Sequence, residues 1–278
     1  MAGRSEKFSW LARLGFAARG IVYILIGYLF LTGDARRAGD GGPESAFAWL
    51  HDAPGGTVLL YLTAIGLFGY GLFRLASAVF NIENQTSDAK GAARRLGHGA
   101  SGVFHVVLAW TALKFASSGA SSGNGSQEAA GTLLSVSFGP VLLGLAGLAF
   151  FVAAAEQAKN AWQATFLREV SRGAPGFLLP LGRAGYAARA VIFVLIGWSL
   201  IKAAWLESSS QVMTLGEAIG SLSDDGVIFR LIALGVLLFG VFSLFLARYR
   251  VIPDMRRPAL RGMASGFAGP RLGRGRFR

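Results

Sequence analysis

Arg19 and Arg189 stand at the mouths of two apolar runs, in "LGFAARGIVYILIG" (14–27) and "AGYAARAVIFVLIG" (184–197). Residues four apart on a helix share a face, so Arg19 lies under Tyr23 and Arg189 under Phe193. A third, diverged copy, "LGHGASGVFHVVLA" (96–109), puts Ser101 and His105 in the same places. A guanidinium is a fork of donors suited to phosphate and carboxylate. Three such helices around one axis would therefore assemble an anion or lipid-headgroup site from Arg19, Tyr23, Ser101, His105 and Arg189. The expectation the sequence favours is plainer: both arginines snorkel to the headgroups and fix helix orientation.

Other polar groups offer less. His98 and His105 are seven apart, on nearly the same helix face, where a histidine pair could ligate haem or relay protons. One helix supplies both, so a hydrogen-bonded or packing role is expected. Glu156, Gln157 and Lys159 form a polar cluster near the end of an apolar run, expected to pair locally at an interface. The absence of cysteine excludes disulfides, thiolate catalysis and Cys-type metal sites. Three histidines (His51, His98, His105) are too few for a multi-His centre. With no H-E-x-x-H, no catalytic, cofactor or metal residue is assigned.

The elements that would carry these residues are membrane spans. A chain of 278 residues that is 53% hydrophobic and 15% charged is too apolar for a soluble domain. Six runs, at 17–32, 57–80, 99–116, 139–155, 187–205 and 226–247, approach the roughly 20 residues needed to cross a bilayer. None of these six ranges contains Asp or Glu. Twenty-two of the 27 Lys and Arg fall in residues 1–20, 74–102, 156–190 and 248–278, at or beyond the span ends on one side. That pattern predicts cytoplasmic termini in a bacterial inner membrane.

The three arginine-helix copies head three two-helix units. Their second helices correspond more loosely: "TVLLYLTAIGLFGYGLFRLASAVF" (57–80), "PVLLGLAGLAFFVAAAEQAKNAW" (140–162) and "GVIFRLIALGVLLFGVFSLFLARY" (226–249). A short segment before each, starting near 44, 127 and 214, predicts a brief interfacial helix. Two spans per unit give every unit the same orientation. The predicted fold is an all-α membrane protein of six transmembrane helices, built as three parallel two-helix repeats with pseudo-threefold symmetry. It forms one domain over 1–250, with repeats at 11–80, 93–162 and 181–250, followed by a basic disordered tail, 251–278. Small residues at Gly15, Gly20, Gly27, Gly97, Gly102, Gly185 and Gly197 are expected to let helix backbones approach closely.

The GFAARG opening with Tyr23 and Gly27, the three tandem units and the closing "ALGVLLFGVFSLFLARYR" resemble the bacterial membrane proteins grouped as domain of unknown function 1206. The resemblance spans residues 11–250; it implies fold and membrane placement and no activity. The middle copy departs from it at Ser101 and His105.

For partners, the Arg-rich tail predicts contact with the anionic inner leaflet. Its few aromatics argue against nucleic acid. The leading functional expectation is a non-catalytic scaffold or accessory subunit packed against membrane partners or lipid. The alternative is a small channel or carrier with the anion or headgroup site on its axis.

Overall fold

The structure, a computed structural model, describes residues 3–33, 43–83, 85–119 and 125–252. Nine α-helices are present among them: α1 (Gly3–Thr32), α2 (Pro43–Asp52), α3 (Gly56–Phe80), α4 (Ala89–Ser118), α5 (Gly125–Leu134), α6 (Gly139–Gln163), α7 (Leu178–Trp205), α8 (Leu215–Gly220) and α9 (Gly226–Tyr249). Six of them, α1, α3, α4, α6, α7 and α9, are long and apolar enough to span a membrane. The short α2, α5 and α8 stand where the sequence predicts a brief helix, each leading into the second long helix of its repeat.

The long helices outrun several sequence boundaries. In the fourth span, "AAAEQAKNAW" continues the helix to Gln163 because Ala, Glu, Gln and Lys are strong helix formers. Glu156 consequently lies inside that span, which corrects the expectation that no acid does. No ion pair joins Glu156 to Lys159 among the described residues, so the local pairing expected there is not formed. Of the basic tail, only Val251 and Ile252 are described.

Each repeat hands its first helix to the preceding repeat's second helix. α1 packs on α9, α4 on α3 and α7 on α6, making three equivalent interfaces between repeats. Small residues set the approach distance. A Cβ at Gly27 would fall 2.6 Å from Leu237 N and 2.8 Å from Ala233 O. One at Gly20 would fall 2.9 Å from Gly240 O, one at Gly102 2.9 Å from Leu75 N, and one at Gly197 3.0 Å from Gly147 O. Backbone cannot yield as a side-chain tip can, so only glycine permits these contacts.

The same three interfaces are clamped at one end by an arginine six residues before the Arg19 position. Arg13 Nη1 donates to the carbonyls of Ala247 (2.8 Å) and Arg248 (2.7 Å) at the end of α9. Arg95 donates to Ala78 O (2.8 Å) and Val79 O (3.0 Å) at the end of α3. Arg183 donates to Trp162 O (3.2 Å) at the end of α6. The last carbonyls of a helix lack intrahelical partners and carry the negative end of its dipole, so a guanidinium both satisfies and neutralises them.

Packing within a repeat breaks the threefold pattern. α1 packs on α3 and α7 on α9, but α4 and α6, the two long helices of the second repeat, have no comparable contact. The bundle is thus an arc running α4, α3, α1, α9, α7, α6, open between its ends. Where the first helix meets its own second helix, Gly15 lies against Tyr70 and Gly185 against Phe239, their Cβ positions 2.5 Å and 2.6 Å from those side chains. Gly97, the equivalent residue in α4, is exposed and a Cβ there would meet nothing within 4 Å. Gly97 is therefore not a packing glycine, because the helix that would cover it is absent from that side.

Candidate functional site

Arg19 does not snorkel. It is 7% exposed and sits about 10 Å into its span, counting 1.5 Å per residue from Ala12. The cause is its neighbourhood: one of its Nη atoms donates to Tyr70 Oη on α3 (2.6 Å) and the other to Ser243 Oγ on α9 (3.1 Å). Its guanidinium carbon lies 5.0, 4.8 and 5.2 Å from the ring centroids of Phe16, Tyr70 and Phe239. Two hydrogen bonds and three aromatic rings hold the charge inside the arc.

Arg189 reaches the same place from α7. Its guanidinium lies 4.5 Å from the Phe239 ring, 5.0 Å from Phe193 and 5.8 Å from Tyr23. Both guanidiniums thus share Phe239, and Tyr23 packs edge-on against that ring at 5.1 Å. The Nε atoms of Arg19 and Arg189 are buried without a hydrogen-bond partner. No carboxylate pairs with either arginine among the described residues. Burying a cation without a counter-ion costs several kcal/mol. Cation–π contacts return about 0.5–2 kcal/mol each, leaving two positive charges and two N–H donors to be answered.

His105, on α4, is buried with its ring 4.5 Å from Tyr70, and Nδ1 lies 2.7 Å from the Ser101 carbonyl. Tyr70 therefore links the His105 position to Arg19. Ser101 takes part only through its backbone: no hydrogen bond from its hydroxyl to either guanidinium is present among the described residues. With the second helices aligned on Thr57, Pro140 and Gly226, Tyr70 and Phe239 correspond to Ala153, and Arg74 and Ser243 to Gln157. The second repeat so contributes a smaller residue at three positions around the site: Ser101 for Arg, His105 for Tyr or Phe, Ala153 for an aromatic. Gln157 Oε1 is buried without a partner.

Below the arginines, towards the clamped end, lies a polar network the sequence reading missed. Glu83, whose side chain is 10% exposed, pairs with Arg250 (2.9 Å), Arg74 (3.4 Å) and His98 Nε2 (3.2 Å). Arg250 also pairs with Glu169 (2.6 Å). Burial alone would push the Glu83 carboxyl up, but Arg74, Arg250 and His98 outweigh it and hold it below its ordinary value. Burial works against the Arg250 charge as well, and Glu169 and Glu83 overcome it, holding its pKa above the ordinary value. The His98 contact accords with a hydrogen-bonded role for that residue. Arg250 also lies 5.0 Å over Phe16, whose ring Arg19 likewise contacts at 5.0 Å. The network is the floor of the arginine site. His98 stood out in sequence, but Glu83 and Arg250 are separated by 167 residues, and no local spacing announces them.

A family model described as Domain of Unknown Function (DUF1206) matches residues 14–81, 96–164 and 184–250, one match for each structural repeat. The Uncharacterized protein YxxB of Bacillus subtilis (strain 168) is 32% identical over 260 residues, covering 89% of this chain and 94% of the relative. No solved structure matches the chain.

Proposed function

We propose, from the premise that this chain belongs to the family described as Domain of Unknown Function (DUF1206), that it is a non-catalytic multi-pass membrane protein whose bundle holds a phosphate-type anion on Arg19 and Arg189. The observation that carries this reading is the pair of guanidiniums sharing Phe239 with no carboxylate between them. The sequence alone favours a scaffold or accessory subunit. A purely structural bundle gains nothing from two unneutralised charges at its centre, whereas an anion-binding one requires them. Phosphate fits the donors best, since it accepts from several N–H groups at once and guanidinium matches it bidentately. The Lys and Arg distribution supports cytoplasmic termini in a bacterial inner membrane, with the tail against the anionic leaflet.

Purified protein in neutral detergent tests the reading by thermal unfolding against inorganic phosphate, glycerol 3-phosphate and phosphatidylglycerol at constant ionic strength. Saturable stabilisation is expected, abolished in Arg189→Gln and weakened in Arg19→Lys. Equal stabilisation of wild type and both variants, or none by any of the three probes, refutes it.

A further inference from the structure

The arginine site is closed on most sides, and the exceptions coincide. From the clamped end, the Glu83–Arg250–Glu169 network and Phe16 stand between solution and Arg19. α3, α1, α9 and α7 wall it laterally. The second repeat does not. On α4, a Cβ at Gly71 of α3 would lie 2.8 Å from Val106 and 3.0 Å from Gly102 O, so α3 covers that flank of His105. Successive helix residues turn by about 100°, which puts Phe104 on the opposite flank, and it is 49% exposed. On α6, Phe150 contacts Phe193, the ring beneath Arg189, at 5.4 Å. The next positions round that helix face are Ala153 and Gln157.

The sequence explains the gap. In repeats one and three an aromatic, Tyr70 or Phe239, seats against the glycine of the first helix. In repeat two both sides are small, Gly97 facing open space and Ala153 replacing the aromatic. Tyr23, Phe193 and Arg189, which line the interior, are correspondingly only partly covered. The gap has apolar walls and ends on buried Arg19 and half-buried Arg189.

Resting on the anion reading above, we propose that an acidic phospholipid enters between α4 and α6. Its phosphate docks on Arg19 and Arg189, and its acyl chains lie in the gap beside Phe104 and Ala153. The Gln157 amide, buried and unpartnered at its oxygen, borders the headgroup. A lipid is favoured over a free phosphate because the open side is lined by apolar residues such as Phe104 and Ala153, which acyl chains cover and a soluble phosphate does not.

Native mass spectrometry of delipidated protein, given phosphatidylglycerol or phosphatidylcholine, tests this, with thermal stabilisation by glycerol 3-phosphate as the second arm. Phosphatidylglycerol is expected to be retained about ten-fold better than phosphatidylcholine, the factor one charge-assisted hydrogen bond carries. Ala153→Tyr restores the aromatic of the other two repeats. It is expected to cut phosphatidylglycerol retention about ten-fold while leaving glycerol 3-phosphate stabilisation in place; Gly97→Leu fills the gap from α4 and gives the same split should Ala153→Tyr not fold. Equal retention of the two lipids, or full phosphatidylglycerol retention by both gap-filling variants, overturns the lipid proposal while arginine-dependent glycerol 3-phosphate binding still stands. Loss of every arginine-dependent effect overturns the anion site itself.

Discussion

Replacing Glu83 by Gln tests how far one carboxylate ties three repeats together. Glu83 follows α3, Arg74 lies on it, His98 lies on α4, and Arg250 ends α9 and pairs onward to Glu169 before α7. All groups contacting Glu83 are less than one-fifth exposed, so solvent screens them weakly. Removing one partner of a buried pair costs about 3–5 kcal/mol because the other charge is left uncompensated. Arg250 keeps Glu169 at 2.6 Å, whereas Arg74 has no second acid among the described residues, which places Glu83→Gln near the lower end, about 3 kcal/mol. The assay is reversible unfolding in mixed micelles across pH. Glu83 is held below its ordinary 4.5, so its contribution is fully present above pH 4.5 and lost as pH falls through its lower folded value. Wild type should weaken over that acid window and Glu83→Gln should lack the corresponding slope. A cost below about 1 kcal/mol, the range of a screened surface pair, together with an unchanged acid slope, would refute the network's role.

Gly27→Ala drives a Cβ into backbone and should destabilise by about 1–3 kcal/mol, while Gly97→Ala should be neutral or stabilise by up to about 1 kcal/mol, as an exposed helical glycine does; equilibrium unfolding compares them. Arg95→Gln removes two bonds to the α3 terminus and should cost about 1 kcal/mol. Arg183→Gln, exposed and making one longer bond, should cost less than about 0.5 kcal/mol in the same assay. Arg189→Gln should leave the unliganded protein at least as stable as wild type, because it removes a charge that lacks a counter-ion, while losing stabilisation by phosphate. A thermal scan with and without phosphate reads both effects at once.

The repeats were legible because duplication copies spacing. Arg13, Arg95 and Arg183 keep one distance to the Arg19 position, and glycines recur on the same helix faces, so the six spans and small-residue interfaces followed from pattern. Which side of a helix an arginine faces is a different kind of fact. Arg19 reads as an anchor by its place near a helix end, yet Tyr70 and Ser243, on two other helices, turn it inward. The Glu83 network joins loops and helix ends from all three repeats, and only the folded chain brings them together. The open side of the bundle left one trace in the sequence, Ala153 where Tyr70 and Phe239 stand. The loose resemblance among second helices hid it.

Binding of radiolabelled orthophosphate to delipidated protein, at fixed ionic strength, tests the central claim most directly. The account predicts saturable binding by wild type that is weakened in Arg19→Lys and abolished in Arg189→Gln, with both variants still folded by circular dichroism. Binding that does not saturate, or that persists unchanged in both variants, would contradict it.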